Sequence, residues 1–406
     1  MRNNGERKLW WLIMVSMVFV FQSAHADVVT EWNATAMEAS ARSDSAGQSR
    51  ALAITHAAVF DAVNAIEGKY KAYVAEVKAP AGAAQEAAAA AAAHAVLSWL
   101  FPAHKGMLDG ALTSALAKVP DGAAKDDGVA VGKQVAEKYI AKRSDDGSAR
   151  KMEYTPRSGA GQWQPTPPAH APMRLPQWAE VTPFVLTSPT ELSVTGPPAL
   201  ESAQFAKDLA EVRRLGARDS KERTADQTAA AIFWVINTPV PWNAAARAAA
   251  VAKGTSVVEN ARLFALMNMA GADAYIASWA IKKQYGFWRP VTAIRTTATN
   301  PDPHWEPLLN TPAHPEYVSG HCTYSGAAAR ALQQLFGNDG VTFSVTFGGP
   351  SGVTRTYPGF APLEKEVEDA RIWAGIHFRT ADEHGTALGR QIADLAVQRH
   401  MRLLPR

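Results

Sequence analysis

From Val28 to about Ser144 apolar residues recur at helical spacing. In Ser49–Ala65 the residues Leu52, Ala53, His56, Val59, Phe60 and Val63 share one side. Ala83–Leu100 is almost all alanine and ends in Val96, Leu97, Trp99 and Leu100. Alanine is the best helix former, so this run predicts a helix that approaches its neighbours closely and stops at Pro102. Ala111–Val119 and Val129–Ala141 continue the pattern. It resumes over Ser202–Gly216, Thr224–Asn237, Ala244–Gly254, Ser256–Tyr285, His321–Phe336, Leu363–Gly375 and Ala381–Leu403. Val341–Phe347 alternates and predicts a short strand or hairpin arm. No fixed-period repeat is present. The chain therefore reads as all-α apart from that short run.

Between the two helical stretches the pattern breaks. Pro156–Pro198 holds ten of the 25 prolines, which excludes helix and favours extended or turn conformations. It also holds Trp163, Trp178 and Phe184, which a bare spacer does not need. Two readings stand side by side: an ordered connection draped over the helices near a site entrance, and a simple linker between domains. The resulting division is 27–155, an N-terminal helical region; 156–200, the Pro-rich connection; and 201–406, a second helical region.

Residues 1–26 carry a different signature. Arg2, Arg7 and Lys8 precede an apolar run from Leu9 to Phe21, and Ala24-His25-Ala26 is a small-x-small cleavage site. The apolar run is shorter than the ~20 residues of a spanning helix. A cleaved signal peptide and an exported, periplasmic or secreted, protein are expected, with no integral membrane segment afterwards. Loss of Arg2, Arg7, Lys8 and Glu6 takes the formal charge from +3 to +1. Such a balance, without a basic run, gives no reason to expect nucleic-acid binding. The single cysteine, Cys322, excludes an internal disulfide, so the core must hold the fold.

The candidate chemistry lies in the second helical region. Lys282, with Trp279 and Tyr275 on the same helix face, precedes Arg289-Pro290. Ser319-Gly320-His321 opens a small-residue helix, with Ser319 placed to cap it and Gly320 allowing close backbone approach. A helix start points free N–H groups and a positive dipole end outward. Arg371 and His377 flank Gly375, which is expected to end a helix so that both face one pocket. Guanidinium forks, an ammonium, a hydroxyl and two histidines suit a tetrahedral oxyanion. One histidine can bond to its central atom while the other moves protons. Each element alone has a plain structural explanation; the set does not.

In order and spacing, Lys282-x6-Arg289-Pro290, Ser319-Gly320-His321 and Arg371-x5-His377 resemble the signature shared by vanadium-dependent haloperoxidases and type 2 phosphatidic acid phosphatases. The motif block spans residues 275–385, and Ala58–Ala65 also looks like bacterial haloperoxidase relatives. The resemblance implies a multi-helix bundle of the haloperoxidase and acid phosphatase type. It implies vanadate as cofactor, with phosphate able to take the same place. Lys282, Arg289 and Arg371 would neutralise the oxyanion; Ser319 and the Gly320 N–H would donate to it. His377 would coordinate vanadium, or attack phosphorus in a phosphatase. His321 would be the acid–base group. Hydrogen peroxide, a halide and a small organic acceptor would be the partners.

Trp279, Phe287-Trp288-Arg289-Pro290 and His314 resemble the haloperoxidase form, and His314 stands where bromide-oxidising members carry histidine. A phosphatase acting through phospho-His377 is the alternative. Val318 departs from the proline of many members, and Cys322 from an alanine. Asp382 follows His377 by five residues, where an orienting aspartate often follows by four. Asp226 and Asp273 are the expected carboxylate candidates for Arg371. Two further classes remain at this point: a zinc site built from His304, His314, His321, His377 and His384, though without a tight ligand pair, and a non-catalytic oxyanion binder.

Overall fold

A computed structural model describes residues 27–297, 300–337, 341–347 and 352–405. The leader read in residues 1–26 lies outside them. Thirteen α-helices are described, and the only sheet among the described residues is a two-stranded hairpin. The first half contributes α1 (Val28–Ala39), α2 (Ser45–Glu67), α3 (Gln85–Leu100), α4 (Lys105–Leu116) and α5 (Ala123–Arg143). The second contributes α6 (Ala203–Leu215), α7 (Ala225–Phe233), α8 (Pro239–Lys253), α9 (Val257–Tyr285), α10 (Pro290–Thr296), α11 (Gly320–Phe336), α12 (Phe360–Trp373) and α13 (Arg379–Arg399). β1 (Phe343–Phe347) pairs antiparallel with β2 (Val353–Tyr357). The alternating run is therefore a hairpin arm.

At the centre lies α9, whose residues are small or apolar on every side. Nearly all of them from Val258 to Lys282 are buried, as expected of a helix without a polar face. Its ends are set locally. Ser256 and Glu259 form a reciprocal capping box, and Gly286 ends the helix in the left-handed region at φ 56°.

α9 packs on α2, and each of these two helices gathers a similar pair around itself. In the first half α2, α3 and α5 pack together; in the second, α9, α11 and α13. Details correspond. Gly128 and Gly132 of α5 lie against the backbone of α3 at Ala84 and Ala88, while Gly385 and Gly389 of α13 lie against Ser319 and Thr323. Asp61 of α2 accepts the N–H groups of Tyr73, Val74 and Ala75; Asp273 of α9 accepts those of Phe184, Val185 and Leu186. The halves are thus built alike. Connections of unequal length keep the likeness from showing as a fixed period.

Asp273 is therefore occupied far from Arg371, and Asp226 is paired with Arg355 at 3.0 Å. Neither carboxylate expected for Arg371 serves it. Asp273 instead fastens the Pro-rich connection, an ordered strap with Trp163, Trp178 and Phe184 buried. Its one regular element is a 3-10 turn, Pro176–Glu180. Backbone bonds pin it further: Trp163 N–H to Gly286 O, Trp288 N–H to Gly161 O and Arg174 N–H to Ala313 O. Asp273→Ala strands three buried N–H groups, each costing about 1–3 kcal/mol if nothing replaces the carboxylate. We expect a lowered Tm and faster limited proteolysis within residues 156–200, read on a gel.

Candidate active site

α7 stops at Phe233, four residues before the end its pattern predicts, and the chain turns through Trp234–Asn237 into Pro239. That early stop leaves backbone carbonyls without helical partners. Two of them hold site residues. Arg371, in the last turn of α12, donates from Nη1 to Trp234 O at 2.8 Å. His321, in the first turn of α11, hydrogen-bonds to the Ile236 backbone. Its Nε2 is buried and has no hydrogen-bond partner. Arg371 likewise has a buried Nε without a partner.

His377 lies between Gly375, at φ 79°, and the start of α13. Its Nδ1 is 2.8 Å from Glu316 Oε1, and its Nε2 is 3.1 Å from Arg289 Nη1. Arg289 can only donate, so Nε2 is an acceptor and Nδ1–H donates to Glu316. Glu316 is wholly buried and also accepts the Phe378 N–H at 2.9 Å. The carboxylate that orients His377 is thus Glu316 and not Asp382. Asp382 instead accepts the Cys322 thiol at 3.2 Å, with Ser319 beside it. Ser319 caps α11 by position only; its Oγ completes no well-formed hydrogen bond.

Two of the expected oxyanion cations do not face open space. Lys282 Nζ donates to the carbonyls of Pro315, Glu316 and Val318. Arg289 donates to His314 O, Ile376 O and Pro312 O, and from Nη2 to His314 Nδ1. Both side chains are fully buried. They knit the 312–318 loop to α9 and to the turn before α13, and act on the site through charge.

Trp279, His314, Gly320, His321, Arg371 and His377 line one cavity of about 630 Å³. The structure brings these six together, with Lys282, Arg289 and Ser319 just behind. Tyr275 joins the wall as its helix face predicts, and the Trp279 and His314 rings lie 4.9 Å apart. Asp44, Ser45 and Ala46 reach the same cavity from the first half, and Arg174 and Leu175 from the Pro-rich strap. No cluster of histidine, cysteine and acidic side chains suited to holding a metal ion occurs among the described residues, so the five histidines weighed for zinc form no such site, although His314, His321 and His377 share this cavity.

Charge decides what the cavity can hold. Lys282, Arg289 and Arg371 are all buried there, and burial pushes each pKa down, Arg289 to about 9. The carboxyls nearby do not balance them. Burial holds Asp382 well above the usual range, towards its neutral form, and raises Glu316 to about 7. His321 and His377 are driven well below normal by burial, then by the neighbouring cations, and are neutral at pH 7. An oxyanion would offset the cations and satisfy Arg371 Nε and Ser319 Oγ. It would also meet the unpartnered Nε2 of His321. The donor set fits a tetrahedral oxyanion such as vanadate or phosphate.

Glu316 was missed by sequence reasoning. Its signal was an acidic residue inside the short His314–Ser319 stretch, with no helix face to explain it. Glu316→Gln keeps an acceptor but removes the charge that fixes the His377 tautomer. We expect vanadate affinity to fall about 10–100-fold, measured by equilibrium dialysis.

Over residues 262–406 the chain matches the family of the VCPO second helical-bundle domain. Over 148 residues it is 34% identical to vanadium chloroperoxidase from Curvularia inaequalis, covering 30% of this chain and 24% of that protein. The chain thus spans about a quarter of that relative's length. A solved structure titled the first bacterial vanadium-dependent iodoperoxidase superposes with a TM-score of 0.80 and 25% identity, covering 93% of this chain and 97% of that one. A holo-type bacterial vanadium-dependent chloroperoxidase superposes with a TM-score of 0.72 and 19% identity, covering 87% and 91%.

Proposed function

We propose, for a chain whose C-terminal helical bundle is of the vanadium chloroperoxidase type, that it is a vanadate-dependent haloperoxidase. It would oxidise bromide or iodide with hydrogen peroxide. The observation that carries this reading is the cavity in which His321 Nε2 and Arg371 Nε are buried without partners and which His377 shares. His377 Nε2 would hold the vanadium, with Glu316 fixing the tautomer. Arg371, Ser319 and the Gly320 N–H would bind the oxyanion oxygens, while Lys282 and Arg289 would supply charge from behind. When bound, vanadate would supply a Lewis-acid centre that activates peroxide for attack by halide without changing oxidation state.

His321 does the proton work. Its Nε2 accepts a proton from entering peroxide and returns it to the oxygen that leaves. Being neutral at pH 7, it is ready as a base. His314, whose ring lies 4.9 Å from that of Trp279 and which is bonded to Arg289, would stand on the halide side of the cavity. The iodoperoxidase likeness supports a preference for the heavier halides. Export is part of the same proposal; it predicts an N-terminus at Asp27 on sequencing of the exported protein.

The test pairs two assays on one preparation. With orthovanadate, peroxide and bromide or iodide, the protein should halogenate a phenolic dye. Without vanadate, nitrophenyl phosphate hydrolysis is followed in parallel. Phosphatase turnover with no halogenation would overturn the haloperoxidase reading. Full activity of His377→Ala in both assays would overturn the site itself.

A further inference from the structure

The cavity is larger than the proposed reaction needs. A tetrahedral oxyanion, a peroxide and a halide take the room of about six waters, roughly 180 Å³. The cavity measures about 630 Å³. The surplus lies in the range of small organic ligand sites, which are mostly apolar with a few placed polar groups. Its lining is divided in that way. Arg371 and His377 are buried in it, while Leu175, Val235, Leu309 and Pro312 are partly or largely exposed and form an apolar lip. Val235 stands 56% exposed although it is a large aliphatic residue. Trp279 and Tyr275, with ring centroids 5.6 Å apart, offer aromatic surface within.

One cation stands at this lip. Arg174, on the Pro-rich strap, has a side chain 66% exposed, and its Nη2 is 3.8 Å from Asp44 Oδ2. That separation is too long for a hydrogen bond. Asp44 already accepts the Gly47 N–H with its other oxygen, as the cap of α2. Among the described residues Arg174 has no other ion-pair partner. Its backbone is fixed on both sides, by Ala313 O and by Trp279 Nε1 at 3.3 Å, which keeps Arg174 in the cavity lining. A carboxylate can compete with the distant Asp44 for its planar fork.

We propose that the outer cavity binds an aromatic carboxylic acid with an electron-rich ring, such as a hydroxybenzoate, and that Arg174 selects it. This rests on the haloperoxidase reading, which supplies hypohalous acid. A ring carbon gives its π pair to the halogen and the halogen–oxygen bond breaks. Oxygen leaves as hydroxide and takes up the proton lost from the ring carbon, giving water. The ring is oxidised by two electrons and the halogen reduced by two. The halogen is therefore delivered within the cavity.

Calorimetry tests the site on protein saturated with orthovanadate, so that the acid cannot occupy the oxyanion position. 4-Hydroxybenzoate should bind at least about 10-fold more tightly than 4-hydroxybenzyl alcohol, one decade being 1.4 kcal/mol. Arg174→Gln should erase that gap. Bromination of the acid should saturate with its concentration in the wild type and become linear in Arg174→Gln. Iodide oxidation to triiodide, which has no organic acceptor, should be equal in both proteins. Equal binding of acid and alcohol, or a gap that survives in Arg174→Gln, would overturn the proposal. If neither protein forms triiodide, the haloperoxidase reading fails, while the calorimetry still decides the acid site.

Discussion

His321→Ala is expected to lower halide oxidation by about 10²–10⁴-fold, the range for loss of a positioned acid–base group. The ring lies against the Ile236 backbone, and its Nε2 is buried without a partner. Burial and the Arg371 charge keep the ring neutral. A histidine retained only for packing would not hold an unsatisfied nitrogen against a cationic wall. Oxyanion affinity should change far less, because Arg371, His377 and the groups behind them remain. The two effects separate in one experiment: steady-state bromide oxidation, with vanadate affinity measured by dialysis. Equal losses in both would mean that His321 binds the anion and does not move protons.

Gly389→Val should be the most damaging change away from the cavity. A Cβ at Gly389 would stand 2.0 Å from the Thr323 carbonyl oxygen and 2.6 Å from the Ala327 N. These are backbone atoms of α11, so no side chain can swing aside. The helices would have to part. Overpacking a core typically costs 1–3 kcal/mol, and a clash with backbone places this variant at about 3 kcal/mol or more. Thermal unfolding should show a markedly lower Tm or insoluble protein. Activity should fall as well, because Ser319 and His321 start the helix that moves. Gly106→Ala is the control. Gly106 is an exposed helical position with open space around it, and the change should be neutral or stabilising by under about 1 kcal/mol.

Much of the fold was legible because it rests on local rules. Ser256, Glu259 and Gly286 mark both ends of α9, and apolar periodicity traced the other long helices. Elements decided by tertiary contact were not. α10 is only seven residues behind Arg289-Pro290, and β2 carries Arg355, so neither shows a clear apolar period. The premature end of α7 depends on Arg371 and His321 taking its free carbonyls.

For the site, residue types were legible and their partners were not. Lys282 and Arg289 carry the expected charge, yet their donors are spent on loop carbonyls that no sequence pattern announces. Glu316 took the place imagined for Asp382, because the 312–318 loop folds it beneath His377. Asp44 and Arg174 reach the cavity from elements remote in sequence, where no motif could join them to His377.

The likeness of the two halves means that a single architecture was used twice and equipped once. Ala84, which heads α3 where Ser319 heads α11, has no hydroxyl; Gln85 and Glu86 follow it in place of glycine and histidine. A smaller cavity of about 290 Å³ persists there, lined by Glu86 and by Glu31, which is paired with Lys118, the one cation in its lining. Carboxylates repel an oxyanion, so one chain should take up one equivalent of vanadate. Relieved of chemistry, the first half answers mainly to its own packing, as at Gly128 and Gly132. Its Asp44–Ala46 segment, at the cavity mouth, is where variation would retune the acceptor while the reacting groups stay as they are.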